Sequence, residues 1–156
     1  MTVPMPAQPS SDNAIPAGFE RMPPFGPFHE LLGPMYLKRT EGGCIVGLRV
    51  ETKHCNLGPM MHGGMVCTLA DTAATWASKH SRSPPLKVLT TSLSVGMMGN
   101  AAPGDWVEAR VEILRSGRSV VFSSCHVWCN GKPIAQASAQ FQVMGEAAAA
   151  AAATGS

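Results

Sequence analysis

The chain has 156 residues, 45% of them apolar and 14% charged, with a formal net charge of +2. That length suits a single domain with a full hydrophobic core, and the low charged fraction points to surface covered by another subunit. A balance this close to neutral, with no basic cluster, excludes the concentrated positive face that a nucleic-acid backbone requires.

Residues 1–17 carry four prolines and little apolar content, and they read as a mobile arm. They lack the basic and apolar segments of a secretory leader, and no later run approaches the ~18 apolar residues that cross a bilayer. The folded domain is expected over residues 18–145. Phe25–Leu32 (FGPFHELL) fits a short helix stopped by Gly33 and Pro34. Met35–Thr40 and Ile45–Glu51 read as strands joined by Glu41-Gly42-Gly43. In the second strand Val46, Leu48 and Val50 alternate with Ile45, Gly47, Arg49 and Glu51, so one face is apolar with period two.

The period changes after a Gly/Pro/Met loop at 56–61. From Gly64 to Lys79 the sequence GMVCTLADTAATWASK places Met65, Val66, Leu69, Ala73 and Trp76 on one face of a helix. Ala70, Ala73, Ala74 and Ala77 are small enough for this helix to lie close against a sheet. Ser83-Pro84-Pro85 ends it. Four strands follow in quick succession: Leu86–Met98, Trp106–Leu114, Ser119–Cys129 and Pro133–Val143. Pro103-Gly104, Ser116-Gly117 and Asn130-Gly131 mark the turns, the last a type I′ signal. From Glu146 the chain enters seven alanines, a low-complexity tail over 146–156. The order is ββ, one long helix, then ββββ. An α+β fold in which an antiparallel sheet curls around a lone helix suits it best.

Cysteines at 44, 55, 67, 125 and 129 are odd in number and match no zinc spacing, so free thiols in a reducing cytoplasm are expected. Cys67, inside the helix pattern, reads as core. His29, His54, His80 and His126 form no ligand spacing with acids or cysteines, and no metal site is expected.

The chemistry concentrates in Asn56–Asp71 (NLGPMMHGGMVCTLAD). His62-Gly63-Gly64 opens the long helix, where the first N–H groups lack intrahelical partners and carry the positive end of the dipole. Glycine there admits a ligand oxygen close to the backbone, an arrangement able to polarise a carbonyl and hold an oxyanion. Asp71 sits in mid-helix among apolar neighbours, where aspartate has no capping role, so it either faces solvent or serves a function. Gly63 and Asp71 are eight residues apart, roughly 12 Å along one helix. Attack on a carbonyl needs reacting atoms within about 3.5 Å. If both groups serve one reaction, they must come from two subunits.

The combination of Asn56, His62-Gly63-Gly64 and Leu69-Ala70-Asp71, followed by four strands, resembles the PaaI-type acyl-CoA thioesterases of the hot-dog superfamily. The likeness spans about residues 25–144. It implies that Asp71 acts as nucleophile or as general base on water, and that the Gly63 N–H holds the thioester carbonyl. It places His62 and Asn56 beside that carbonyl, and it matches Thr90 to a hydroxyl that positions the water. It also implies a homodimer or a dimer of dimers acting on acyl- or aryl-CoA, with no cofactor beyond the CoA that enters as part of the substrate. Arg115, Arg118 and Lys87 are candidates for the CoA phosphates. Met60, Met61, Met65, Met97 and Met98 are candidates for an adaptable acyl lining. Two alternatives stay open: an enoyl-thioester hydratase or dehydratase using His62 and Asp71, and a non-catalytic module that binds acyl-CoA.

Overall fold

The computed structural model describes residues 14–23 and 25–147. The N-terminal arm up to residue 13 and the alanine tail from 148 lie outside the described residues. A two-residue strand β1 (Glu20–Arg21) precedes helix α1 (Pro27–Leu32), β2 (Met35–Thr40) and β3 (Gly43–Arg49). A 3-10 turn (Thr52–His54) and the long helix α2 (Gly63–Lys79) follow. The chain then runs through β4 (Leu86–Met97), β5 (Trp106–Ser116), β6 (Val120–Cys129) and β7 (Lys132–Glu146). All pairings are antiparallel, in the order β1-β2-β3-β5-β6-β7-β4. This is the hot-dog arrangement that the resemblance implies.

Several boundaries differ from the sequence pattern for local reasons. The first helix begins at Pro27 rather than Phe25, because Gly26 at φ 111 lies outside helical space and Pro27 pre-sets the first helical residue. β3 ends at Arg49, two residues short of the expected Glu51. Val50 is still buried; its N–H donates to Asp105 O and its carbonyl accepts from Gly104. β1 has only two residues, too few to show a period. Asn130 (φ 50) and Gly131 (φ 74) both take the positive φ that a type I′ turn demands.

The core lies between α2 and the concave face of the sheet. Leu69, Ala70, Ala73, Trp76 and Ala77 of α2 meet Val46 and Leu48, Val107 and Ala109, Cys125 and Val127, and Ala135 and Ala137. Alanines face alanines across this contact, so helix and sheet can approach closely. A smaller cluster of Ala74, Leu86, Val121, Ala139 and Phe141 extends it toward β4. Leu69 is fully enclosed, so Leu69→Ala should cost about 2–5 kcal/mol. No described helix is long and apolar enough to cross a membrane.

Ten of the seventeen residues of α2 are buried, which leaves only one narrow outward stripe. Gly63, Cys67, Asp71, Thr75 and Lys79 follow it at four-residue spacing. β4 flanks this stripe and, among the described residues, pairs only with β7, so its other side is an open edge there.

Candidate active site

The loop entering α2 is held mainly by backbone hydrogen bonds. Asn56 N–H donates to Met60 O at 3.0 Å, Met61 N–H to Ala101 O at 2.7 Å, and His62 N–H to His54 O at 2.8 Å. His62 is the N-cap residue. Its carbonyl accepts from Met65 and Val66, and its Nδ1 accepts from Gly64 N–H at 2.8 Å. Gly64 is required at this spot, since a Cβ would stand 2.9 Å from His62 Nδ1. The cap therefore consumes the second amide of the helix, and the third turns back to His62 O. Gly63 N–H alone has no acceptor among the described residues. A Cβ on Gly63 would lie 3.0 Å from Met97 Sδ, so the end of β4 roofs this amide.

Two turns further on, Asp71 is half-buried on the outward stripe. Thr90 Oγ1, on β4, donates to Asp71 Oδ1 at 3.0 Å. The second carboxylate oxygen has no partner, and no cation pairs with Asp71, among the described residues. One oxygen is thus fixed by a hydroxyl while the other is left to take a proton from water or to attack carbon. α2 and β4 run in opposite directions here. Thr90 sits beside Asp71, and Met97 beside Gly63.

The remaining expected residues divide. Asn56 is exposed, and its side chain makes no hydrogen bond among the described residues. Lys87, Arg115 and Arg118 are all exposed. The β5–β6 hairpin that carries the two arginines adjoins the far end of α2, where Ser81 Oγ meets Ser116 Oγ at 2.8 Å and Arg82 reaches Gly117 O at 2.9 Å. In one protomer these cations therefore lie on the Asp71 side, away from Gly63. Among the methionines, Met61 and Met65 are buried at 5% and 6% exposure, while Met60, Met97 and Met98 are open to solvent.

Cys67 is not core. It is half-buried on the stripe one turn before Asp71, because the sheet-facing positions fall at Met65, Val66, Leu69 and Ala70. All five cysteines are free, and burial pushes the Cys44 and Cys125 thiols up to about 12.

His54, set aside in the sequence as a poor metal ligand, proves to be buried and doubly hydrogen-bonded behind the helix start. Nothing in its spacing signals this. A cavity of 350 Å³ opens beside it, lined by Phe28, Leu32, Cys55, His62, Gly64 and Met65 among others. A larger cavity of 520 Å³ lies between α1 and β2 and contains neither Asp71, Gly63 nor Thr90. The smaller one contains none of these three either, but it is lined by His62 and Gly64 on both sides of Gly63.

The profile of the thioesterase superfamily matches residues 58–135, a stretch that holds His62, Gly63, Asp71 and Thr90. A Pseudomonas aeruginosa protein provisionally named an esterase is 33% identical over 130 residues, covering 83% of this chain and 97% of that protein. The crystal structure of zebra fish thioesterase superfamily member 2 is similar with a TM-score of 0.70 and 25% identity, over 76% of this chain and 88% of the other. A mutant of the phenylacetic acid degradation protein PaaI from Thermus thermophilus follows, with a TM-score of 0.66, 27% identity, and coverage of 75% and 98%. The chain belongs to the thioesterase superfamily.

Proposed function

We propose that this chain hydrolyses acyl- or aryl-CoA thioesters as a homodimer joined along β4, with each active site shared between two protomers. The observation that carries the reading is the placement of Asp71–Thr90 and Gly63–Met97 at opposite ends of the same strand and helix. β4 is twelve residues long and, among the described residues, unpaired on its outer side, a ready template for a second copy. Antiparallel pairing of two such edges sets the Thr90 end of one strand beside the Met97 end of the other. Asp71 of one protomer then faces the partner's Gly63, which removes the separation of roughly 12 Å within one helix.

In this site the partner's Gly63 N–H takes the thioester carbonyl oxygen and stabilises the charge that develops there. Either Asp71 accepts a proton from the water that attacks the carbonyl carbon, or a carboxylate oxygen attacks first and water then cleaves the acyl-enzyme. In both routes the C–S bond breaks, and the thiolate departs without a strong acid. Thr90 holds one Asp71 oxygen, leaving the other free for the reaction. Lys87, Arg115 and Arg118 offer cations to the CoA phosphates from the Asp71 side.

A hydratase would have to use His62 through Nε2, since its Nδ1 accepts Gly64 N–H. A non-catalytic binding module would have no use for a carboxylate with one oxygen left unpartnered. The deciding experiment is a free-thiol assay over a panel of acyl- and aryl-CoAs, saturated ones included, with wild type and Asp71→Ala. Hydrolysis predicts thiol release from saturated substrates and a loss of at least about a hundredfold in the variant. Thiol release that survives Asp71→Ala undiminished sinks the reading. Stabilisation by CoA esters without turnover favours the binding module.

A further inference from the structure

The first turns of α2 form one wall of the 350 Å³ cavity, and α1 forms another. Phe28 and Leu32 lie four residues apart, on one face of α1. With Met65, Thr68, Cys55 and the His54 ring they enclose a largely apolar space. Helix α1 buries none of its six residues, and Phe28 is 55% exposed. The polar side chains around the cavity are already engaged within the protein. The His54 ring accepts Glu51 N–H at 2.9 Å and meets Leu32 O at 2.7 Å. Thr68 Oγ1 donates to Gly64 O at 2.9 Å, and Cys55 Sγ to Glu51 O at 3.5 Å. The Lys53 ammonium donates to Gly33 O at 2.8 Å and lies 3.4 Å from the Glu51 carboxylate. His62 Nδ1 takes Gly64 N–H, so among these ring nitrogens His62 Nε2 alone has no partner among the described residues.

We propose that this cavity holds the acyl group of the thioester and selects unsubstituted apolar groups, a phenyl ring or a short-to-medium alkyl chain, with Phe28 and Thr68 setting the limit. The inference rests on the role given to Gly63 above. His62 and Gly64, immediately before and after Gly63, both line the cavity. A carbonyl held at the Gly63 amide therefore has its substituent beside this space, in the protomer that supplies the amide. A volume of 350 Å³ stands at the small end of the roughly 300–1,000 Å³ typical of ligand pockets, which suits a ring better than a long fatty chain. A hydroxyl or carboxylate on the acyl group would leave water and meet side chains whose hydrogen bonds are already made, so it would be disfavoured.

The test compares acetyl-, hexanoyl-, phenylacetyl- and para-hydroxyphenylacetyl-CoA in the free-thiol assay on the full chain. Wild type is expected to favour hexanoyl and phenylacetyl over acetyl in kcat/KM by about tenfold or more, because each buried methylene or ring carbon adds to binding. The para-hydroxylated ring is expected to fall about tenfold below the plain one. Thr68→Phe fills the cavity from α2, and Phe28→Ala removes its wall on α1. Each should lower the kcat/KM ratio of phenylacetyl to acetyl by about tenfold. Phe28 is exposed, so Phe28→Ala carries the test alone if Thr68→Phe does not fold.

A folded Phe28→Ala that keeps the wild-type ratio overturns the proposal. So does a hydroxylated ring cleaved as well as the plain one. A loss shared equally by acetyl and phenylacetyl esters, in step with the melting temperature, overturns it too, since that is what a purely structural role gives. Asp71→Ala is run alongside. If it is inactive while Phe28→Ala keeps the wild-type ratio, only the acyl cavity falls. If Asp71→Ala is itself fully active, the thioesterase reading falls and takes this proposal with it.

Discussion

The two edges of the sheet are built in opposite ways. At one end β1 is two residues long, Glu20–Arg21, and both side chains are exposed and charged. At the other, β4 presents twelve residues whose outer backbone groups have no neighbour among the described residues. Short, charged edges resist pairing with another chain, whereas long open ones invite it. The blunt edge lies far from α2's outward stripe. The open edge runs alongside it and supplies both Thr90 and Met97. Surface left open for association and surface with candidate chemistry thus coincide on one side of the molecule.

The contrast can be broken by experiment, most sharply by complementation. Asp71→Ala and Gly63→Val should each be inactive as pure dimers. Mixed and allowed to exchange subunits, they should recover roughly a quarter of the wild-type rate, since half the dimers of a statistical mixture carry one intact site. A mixture that stays inactive after exchange is verified would mean that no site joins Asp71 of one protomer to Gly63 of its partner.

The next effect is on association. Ser92→Lys with Ser94→Lys puts like charges opposite one another in any self-paired β4 edge. The dimer should weaken by about tenfold or more, with turnover becoming steeply concentration-dependent. Glu20→Lys on β1 should change neither, as sedimentation can check. Thr90→Ala removes one hydrogen bond to a carboxylate and should lower kcat by about tenfold, with the dimer unaffected.

The smallest effect belongs to the closed half of the sheet. The Ala102 N–H at 2.8 Å, helped by Asn130, holds the Asp105 carboxyl below the usual carboxylate range. A folded pKa below the unfolded one adds stability above about pH 4, and that stability fades as pH falls through the folded value. Asp105→Asn should remove this part of the acid dependence of the melting temperature. Because the group is partly exposed, less than about 1 kcal/mol is at stake, and turnover should not move.

Much of this was legible in the residues. The strand β2 and the helix α2 stand within one residue of their sequence-read limits, because each carries a clean period with firm stops. The Asn130-Gly131 turn was equally plain. Asp71 drew attention as an aspartate in an apolar helix, and Thr90 was matched to it only through the family resemblance. The partner that holds it at 3.0 Å depends on how β4 lies beside α2, a contact across nineteen residues that no local pattern encodes. Cys67 was misplaced for a related reason. A helix buried around most of its circumference leaves so narrow an outward stripe that one apolar position is easily put on the wrong side.

His54 was the residue least visible beforehand. Its meaning lies in two backbone partners, Glu51 and Leu32, supplied by separate turns of chain, and a histidine's neighbours in sequence say little about such bonds. The amino-acid sequence by itself determined the element order, the apolar faces, and the pairing of a glycine-rich helix start with a mid-helix acid. Those depend on periodicity and on residue types within a few positions of each other. Only the tertiary structure decided which helix amide stays free, which hydroxyl meets the acid, and which sheet edge stays open. Each of those is set by hydrogen bonds and packing between segments far apart in the chain.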